Sequence, residues 1–219
     1  MMKKYPLVLK NSLLFLLSTL FVFTSSFVSI SNNVSNFNGP IALKNSKIIV
    51  TGDSFAGKFF DFEKDKDLEL VPYARAGCTI DQNKFIMTEA LNKNEKNVFI
   101  SIGVNDQFME TPLYRFEYTI RSLMSIALYN NKNVFFHSYL KYYSNNYNQK
   151  KFSSIQYDNI IREVCNDYLN AYYVDVKDLE TPYYISDDNI HYNELFYDEL
   201  YNRLINVLYL AENTQNYQN

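Results

Sequence analysis

Ser54, Asn105, Asp188 and His191 are the side chains of this sequence whose types and order could carry out chemistry together. Ser54 lies in Gly52-Asp53-Ser54-Phe55, directly after the apolar run Ile48-Ile49-Val50 and Thr51. A serine at the turn leaving a parallel strand sits where open α/β sheets place their ligands. Its backbone N–H also falls near a helix N-terminus, whose partial positive charge suits a developing oxyanion. The same placement suits a plain N-cap serine, so the segment alone is ambiguous. Asn105 lies in Gly103-Val104-Asn105-Asp106, at the end of Val98-Phe99-Ile100-Ser101-Ile102. Its amide could donate to an oxyanion, although Gly, Asn and Asp also favour an ordinary turn. His191 is one of only two histidines, and Asp188 stands three residues before it in Asp188-Asn189-Ile190-His191. A hydroxyl nucleophile needs a base, and the base needs a carboxylate to hold its tautomer.

These residues need a scaffold that brings strand ends together. Ile48–Val50, Val98–Ile102, Val134–Phe136 and Tyr172–Val174 are short apolar runs rich in β-branched or aromatic residues, and Leu68–Val71 is a further candidate. Such runs suit strands buried on both faces of a parallel sheet. Ile80–Leu91, Tyr114–Leu128 and Ile155–Leu169 have helical length and spacing, and Phe196, Leu200, Leu204 and Leu208 form one stripe of a last helix. Alternating strands and helices predict an α/β fold, a three-layer α/β/α sandwich around a parallel sheet of about five strands. The charge run Asp61–Glu69 reads as a solvated loop or helix face, and Tyr142–Lys151 as a surface loop on the ligand side of the sheet.

With the blocks in this order, the chain resembles the SGNH (GDSL-type) hydrolase family. Gly52-Asp53-Ser54-Phe55 matches the family's first block, Gly103-Val104-Asn105-Asp106 its third and Asp188-Asn189-Ile190-His191 its fifth. The second block is a glycine, for which Gly77 in Ala74-Arg75-Ala76-Gly77-Cys78 is the loosely matching candidate. The resemblance spans about Lys47 to Leu210 and implies a flavodoxin-like sandwich. It also implies a Ser54–His191–Asp188 catalytic triad acting on an acyl ester, with no cofactor and no metal. The oxyanion hole would comprise the N–H groups of Ser54 and Gly77 and the side chain of Asn105. Asp187 is the competing carboxylate, and the family spacing selects Asp188. The same residues would serve an O-acyltransferase that passes the acyl group to a sugar hydroxyl. A catalytically silent binding module is the remaining alternative.

Gly52-Asp53-Ser54-Phe55-Ala56-Gly57-Lys58 also fits the first seven positions of a phosphate-binding loop, with Asp175 as the metal-binding carboxylate. Phe59 stands where that loop requires Ser or Thr, and the reading leaves Asn105 and Asp188–His191 without a role. His137 reads as a satisfied polar group at the edge of the core, with lining of the pocket as its alternative. Cys165 falls on the apolar face of its helix; a bridge to Cys78 would need an oxidising compartment.

The chain has 219 residues, of which 47% are hydrophobic and 21% charged, which excludes a disordered chain. Mean hydropathy of -0.27 excludes a polytopic membrane protein, and a net charge of -3 argues against nucleic acid as a partner. With 20 Tyr and 17 Phe against no Trp, aromatic richness follows overall composition and marks no binding surface. Lys3, Lys4 and Lys10 precede an apolar stretch over residues 13–30, the pattern of a leader peptide or a single-span signal anchor. The expected organisation is therefore a leader or anchor over 1–31, a polar linker over 32–45, the catalytic domain over 46–212 and a polar tail over 213–219. Both versions of the N-terminal segment put the domain outside the cytoplasm, secreted or held at the outer face of the membrane. The expected substrate is an acyl ester, with acetylated carbohydrate as its candidate class.

Overall fold

The computed structural model describes residues 46–139, 150–188 and 190–215. The leader or anchor, the polar linker, most of the Tyr142–Lys151 loop, Asn189 and the last four residues lie outside them. Among the described residues no helix is long and apolar enough to cross a membrane.

Five strands, β1 (Lys47–Gly52), β2 (Glu69–Ala74), β3 (Asn97–Ser101), β4 (Asn133–His137) and β5 (Ala171–Val174), form one sheet in the order β2-β1-β3-β4-β5. Every neighbouring pair is parallel. The helices that connect and close the sheet are α1 (Ser54–Glu63), α2 (Ile80–Leu91), the short α3 (Val104–Phe108), α4 (Leu113–Tyr129), α5 (Ser154–Asp167) and α6 (Glu194–Gln215). This is the expected three-layer sandwich. The strand order reverses at β1, whose neighbours are β2 and β3, and the crevice beyond the carboxyl ends of β1 and β3 is where such sheets bind ligands.

Strand alternation divides the core into two clusters. Ile48, Val50, Phe99 and Phe135 face α1 and α6, packing with Phe59, Phe196, Leu200, Leu204 and Leu208. Ile49, Val98, Ile100, Val134 and Phe136 face the other way, against Met87, Ile120, Leu123, Tyr157 and Ile161 of α2, α4 and α5. Burial on both faces explains why β1, β3 and β4 read as unbroken apolar runs. The edge strand β2 runs on past Val71 through Pro72, which an edge tolerates because its outward positions need no N–H for the ladder. Thr79 and Ser153 each close a capping box, with Gln82 and Gln156, and so start α2 and α5.

One segment departs from its sequence reading at two residues. Within the charged run Asp61–Glu69, Glu63 and Leu68 are buried. Glu63 pairs with Lys66 at 2.6 Å, and the N–H of Leu68 donates to the hydroxyl of Tyr201 on α6 at 3.1 Å. The rest of the run stands in solvent as its charge predicts, while these two residues turn inward and Lys66 brings Glu63 its partner charge.

Candidate active site

The turn that carries Ser54 begins at Gly52, whose φ of +130° already disfavours a side chain. A Cβ there would stand 1.9 Å from the carbonyl oxygen of Ser101, so β1 and β3 meet more closely than any other residue allows. Asp53 N–H then donates to Ser101 O at 3.0 Å, and Arg75 N–H donates to Gly52 O at 2.9 Å. The Asn83 amide donates to the carbonyls of both Gly52 and Arg75, at 2.9 and 3.3 Å. The turn is thus tied to β3 on one side and to the loop after β2 on the other.

The N-cap of α1 is Asp53, not Ser54: its Oδ1 accepts from Phe55 N–H at 2.9 Å. With the cap filled, Ser54 is the first helical residue, half-buried, and its hydroxyl is free for another partner. That partner is His191, whose Nε2 lies 2.9 Å from Ser54 Oγ. His191 Nδ1 lies 2.7 Å from Asp188 Oδ2. An ionised carboxylate only accepts, so Nδ1 carries the proton and Nε2 accepts from the serine hydroxyl. The other oxygen, Asp188 Oδ1, accepts from Ser186 Oγ at 2.6 Å and from the N–H groups of Ile190 and His191, both at 2.8 Å. Desolvation works against the Asp188 charge, but these donors outweigh it and hold the carboxyl well below its usual range.

The loop that carries the histidine closes on itself. Ile185 and Tyr192 form an antiparallel bridge, and Ser186 N–H donates to His191 O at 2.9 Å. The imidazole packs beside Phe55 with ring centroids 5.2 Å apart, so the residue following Ser54 also seats the His191 ring.

Asn105 lies in the first turn of α3, across the switch point from Ser54. Gly103 opens this helix at φ +117°, where a Cβ would meet the Tyr139 ring at 2.6 Å. Beneath it, Tyr139 Oη donates to Gln107 Oε1 at 2.8 Å, and Tyr157 Oη donates to Thr111 O at 2.6 Å. Asn105 Nδ2 stands 3.5 Å from Asp53 Oδ2. Replacing Asn105 by alanine should lower kcat for ester hydrolysis by about 10²–10³ with a smaller change in KM, the cost of one oxyanion donor. Steady-state kinetics on the two proteins measure it.

Gly77 occupies an exposed turn between β2 and α2 at φ +70°, with open space around it. It makes no hydrogen bond to Ser54, Asn105, Asp188 or His191 among the described residues. The structure therefore brings Ser54, His191 and Asp188 into one chain of contacts, sets Asn105 on the other side of the crevice and leaves Gly77 on the adjoining loop.

Asp53 and Asp106 are the residues whose importance the sequence did not disclose. Both are fully buried; Asp106 accepts from Ile80 N–H through both oxygens, at 3.0 and 3.2 Å, and so joins α3 to the start of α2. Burial, reinforced by a neighbouring carboxylate, pushes each carboxyl up to about 7. Their folded values lie above the unfolded one of ~3.9, so the native state binds more protons between about pH 4 and pH 7. The stability these groups contribute is present below that window and is lost as pH rises through about 7. Wild type should therefore lose stability relative to Asp106→Asn as pH rises from about 4 to about 7, by on the order of a few kcal/mol. Paired denaturation curves across that range check the sign.

The remaining candidates have structural roles. His137 Nε2 lies 2.8 Å from Ser101 Oγ and Nδ1 lies 2.8 Å from Ser138 O, and burial lowers its pKa to about 4. Both ring nitrogens are satisfied inside the core. Cys78 and Cys165 are free thiols, and burial pushes that of Cys165 up to about 12. Gly57 and Lys58 are helical residues of α1 and Phe59 is buried, so no phosphate-cradling loop exists here. Asp175 pairs with Arg162 at 3.2 Å.

No family description and no curated protein matches this sequence. Solved structures do match its fold. A lipolytic protein of the G-D-S-L family from Desulfitobacterium hafniense aligns with a TM-score of 0.62 and 16% identity, over 74% of this chain and 99% of that one. A variant of an acetyl-xylooligosaccharide esterase from Geobacillus stearothermophilus aligns with a TM-score of 0.60 and 16% identity, over 74% and 94%. A lipase/acylhydrolase from Enterococcus faecalis gives 0.60 and 14%, over 77% and 96%. These likenesses establish a shared α/β fold.

Proposed function

We propose that this chain is a serine ester hydrolase of the SGNH type, acting by a Ser54–His191–Asp188 mechanism on O-acetyl esters of carbohydrate. The observation that carries the reading is the unbroken line of contacts from Asp188 Oδ2 through the His191 ring to Ser54 Oγ, at 2.7 and 2.9 Å. Ser54 Oγ attacks the ester carbonyl carbon while its proton passes to His191 Nε2. The imidazolium so formed is stabilised by the Asp188 carboxylate. The tetrahedral oxyanion takes hydrogen bonds from the N–H groups of Ser54 and Gly77 and from Asn105 Nδ2. Collapse expels the alcohol, which leaves with the proton from Nε2, and an acyl group remains on Ser54. Water, deprotonated by the same nitrogen, then releases the acid. None of these steps calls for a cofactor.

The acetyl-glycan substrate is supported by the esterase of acetyl-xylooligosaccharides among proteins of this fold. Action outside the cytoplasm is supported by Lys3, Lys4 and Lys10 ahead of the apolar residues 13–30, which would lead or anchor the domain across the membrane.

The test is hydrolysis of p-nitrophenyl acetate by the protein and by its Ser54→Ala variant, followed by acetyl release from acetylated xylooligosaccharides with and without added sugar acceptor. Serine-dependent release into water supports the reading. Acetyl appearing on the acceptor in place of free acetate turns it toward an acyltransferase, and a folded protein with no turnover turns it toward a binding module.

A further inference from the structure

Asp53 has two oxygens, and the cap of α1 uses one. Oδ1 accepts from Phe55 N–H at 2.9 Å, while Oδ2 faces the Asn105 amide at 3.5 Å. Asp53 is fully buried, and its backbone is pinned by Ser101 O, so the carboxylate has no freedom to turn away. The Asn105 amide has two faces, one with two N–H donors and one with an acceptor oxygen. A neighbouring carboxylate is acceptor-only: it attracts the NH₂ face and repels the carbonyl face. In a site shielded from water this difference is larger than at a surface. A separation of 3.5 Å is long for a hydrogen bond, but charge still sets the orientation of an amide dipole at that range.

We propose that Asp53 is a positioning residue that fixes which way the Asn105 amide points, keeping one Nδ2–H on the carboxylate and the other presented to the oxyanion. The inference rests on the serine hydrolase reading above and adds a residue to it. Asp53 does not touch substrate; it acts through Asn105. The nucleophile turn and the oxyanion donor are thereby coupled directly, across the β1–β3 crevice, instead of only through the sheet.

Asp53→Asn separates this role from capping. Asparagine remains an effective N-cap, with its Oδ1 accepting from Phe55 N–H. Its NH₂ then faces the Asn105 amide, which favours rotation of the Asn105 oxygen toward it and withdraws the donor from the crevice. Asp53→Ser is the second variant: it keeps a cap acceptor, and its side chain is too short to reach Asn105. Kinetics are measured above pH ~7, where the wild-type Asp53 carboxyl is ionised, with thermal melts to verify folding.

Each variant should lose kcat by about 10-fold or more, approaching the 10²–10³ of Asn105→Ala, with KM little changed. In the Asn105→Ala background the same Asp53 substitutions should change kcat by less than about 2-fold, because the group they act through is gone. Losses that multiply in the double variants, or wild-type kcat in the singles, would overturn the assignment of Asp53 alone. Hydrolysis that survives Ser54→Ala would instead overturn the hydrolase reading, and this inference with it.

Discussion

Ser54→Ala should lower kcat for ester hydrolysis by about 10⁶, the loss seen when the nucleophile of a hydroxyl–imidazole–carboxylate system is deleted. The geometry argues for a loss of that size. Ser54 Oγ stands 2.9 Å from His191 Nε2, and without it the imidazole has no hydroxyl there to deprotonate. Residual rate would come from binding and from the oxyanion donors, which stay in place because the cap of α1 belongs to Asp53. For the same reason the variant should melt close to wild type: removal of a half-buried hydroxyl at the first helical position costs little. A burst of p-nitrophenol from wild type that is absent from the folded variant would assign the acyl-enzyme to this residue. A variant within about 10-fold of wild type would exclude Ser54 as nucleophile.

Asp188→Asn is expected to lower kcat by about 10⁴ while leaving the fold intact. Asp188 Oδ1 accepts three hydrogen bonds, from Ser186 Oγ and from the N–H groups of Ile190 and His191. Only a carbonyl oxygen can replace it there. The asparagine NH₂ is therefore forced onto His191 Nδ1, which must then accept. The proton moves to Nε2, which would donate to Ser54 Oγ where the mechanism needs an acceptor. The variant is trapped in the wrong tautomer by its own loop. ¹⁵N chemical shifts of the imidazole, read beside the rate, distinguish this outcome from simple loss of the base.

What could be read from the sequence follows from how local each feature is. The strands β1, β3 and β4 are buried on both faces, so each stands out as an apolar run that needs no partner to recognise. The extent of β2 was less visible, because an edge strand carries Pro72 and exposed positions that break such a run. The five-residue α3 is too short for any periodicity and is held from outside by Tyr139 and Tyr157. Glu63 carries no mark of burial in the sequence, because a buried carboxylate and an exposed one look the same there; only the fold of Lys66 back onto it tells them apart. At the site, Asp188 and His191 lie three residues apart, and the first, third and fifth blocks of the resemblance are each four residues long. The supports were out of reach because they join distant segments: Asp106 to Ile80, and Asn83 to Gly52. The cap on α1 is legible only in part: Asp53 precedes the helix as directly as a cap must, but Ser54 beside it is an equally good cap residue by type.

The histidine loop sets its own proton. Among the described residues, the bonds that hold Asp188 on His191 Nδ1 arise between Ser186 and His191, within one loop. The distance from Nε2 to Ser54, by contrast, depends on how α1 and the final loop pack around Phe55. Proton placement and reach are thus set by separate parts of the chain. Repacking around Phe55 would change how far the imidazole stands from Ser54 without changing which ring nitrogen carries the proton, while a change at Ser186 or Asp188 would do the reverse.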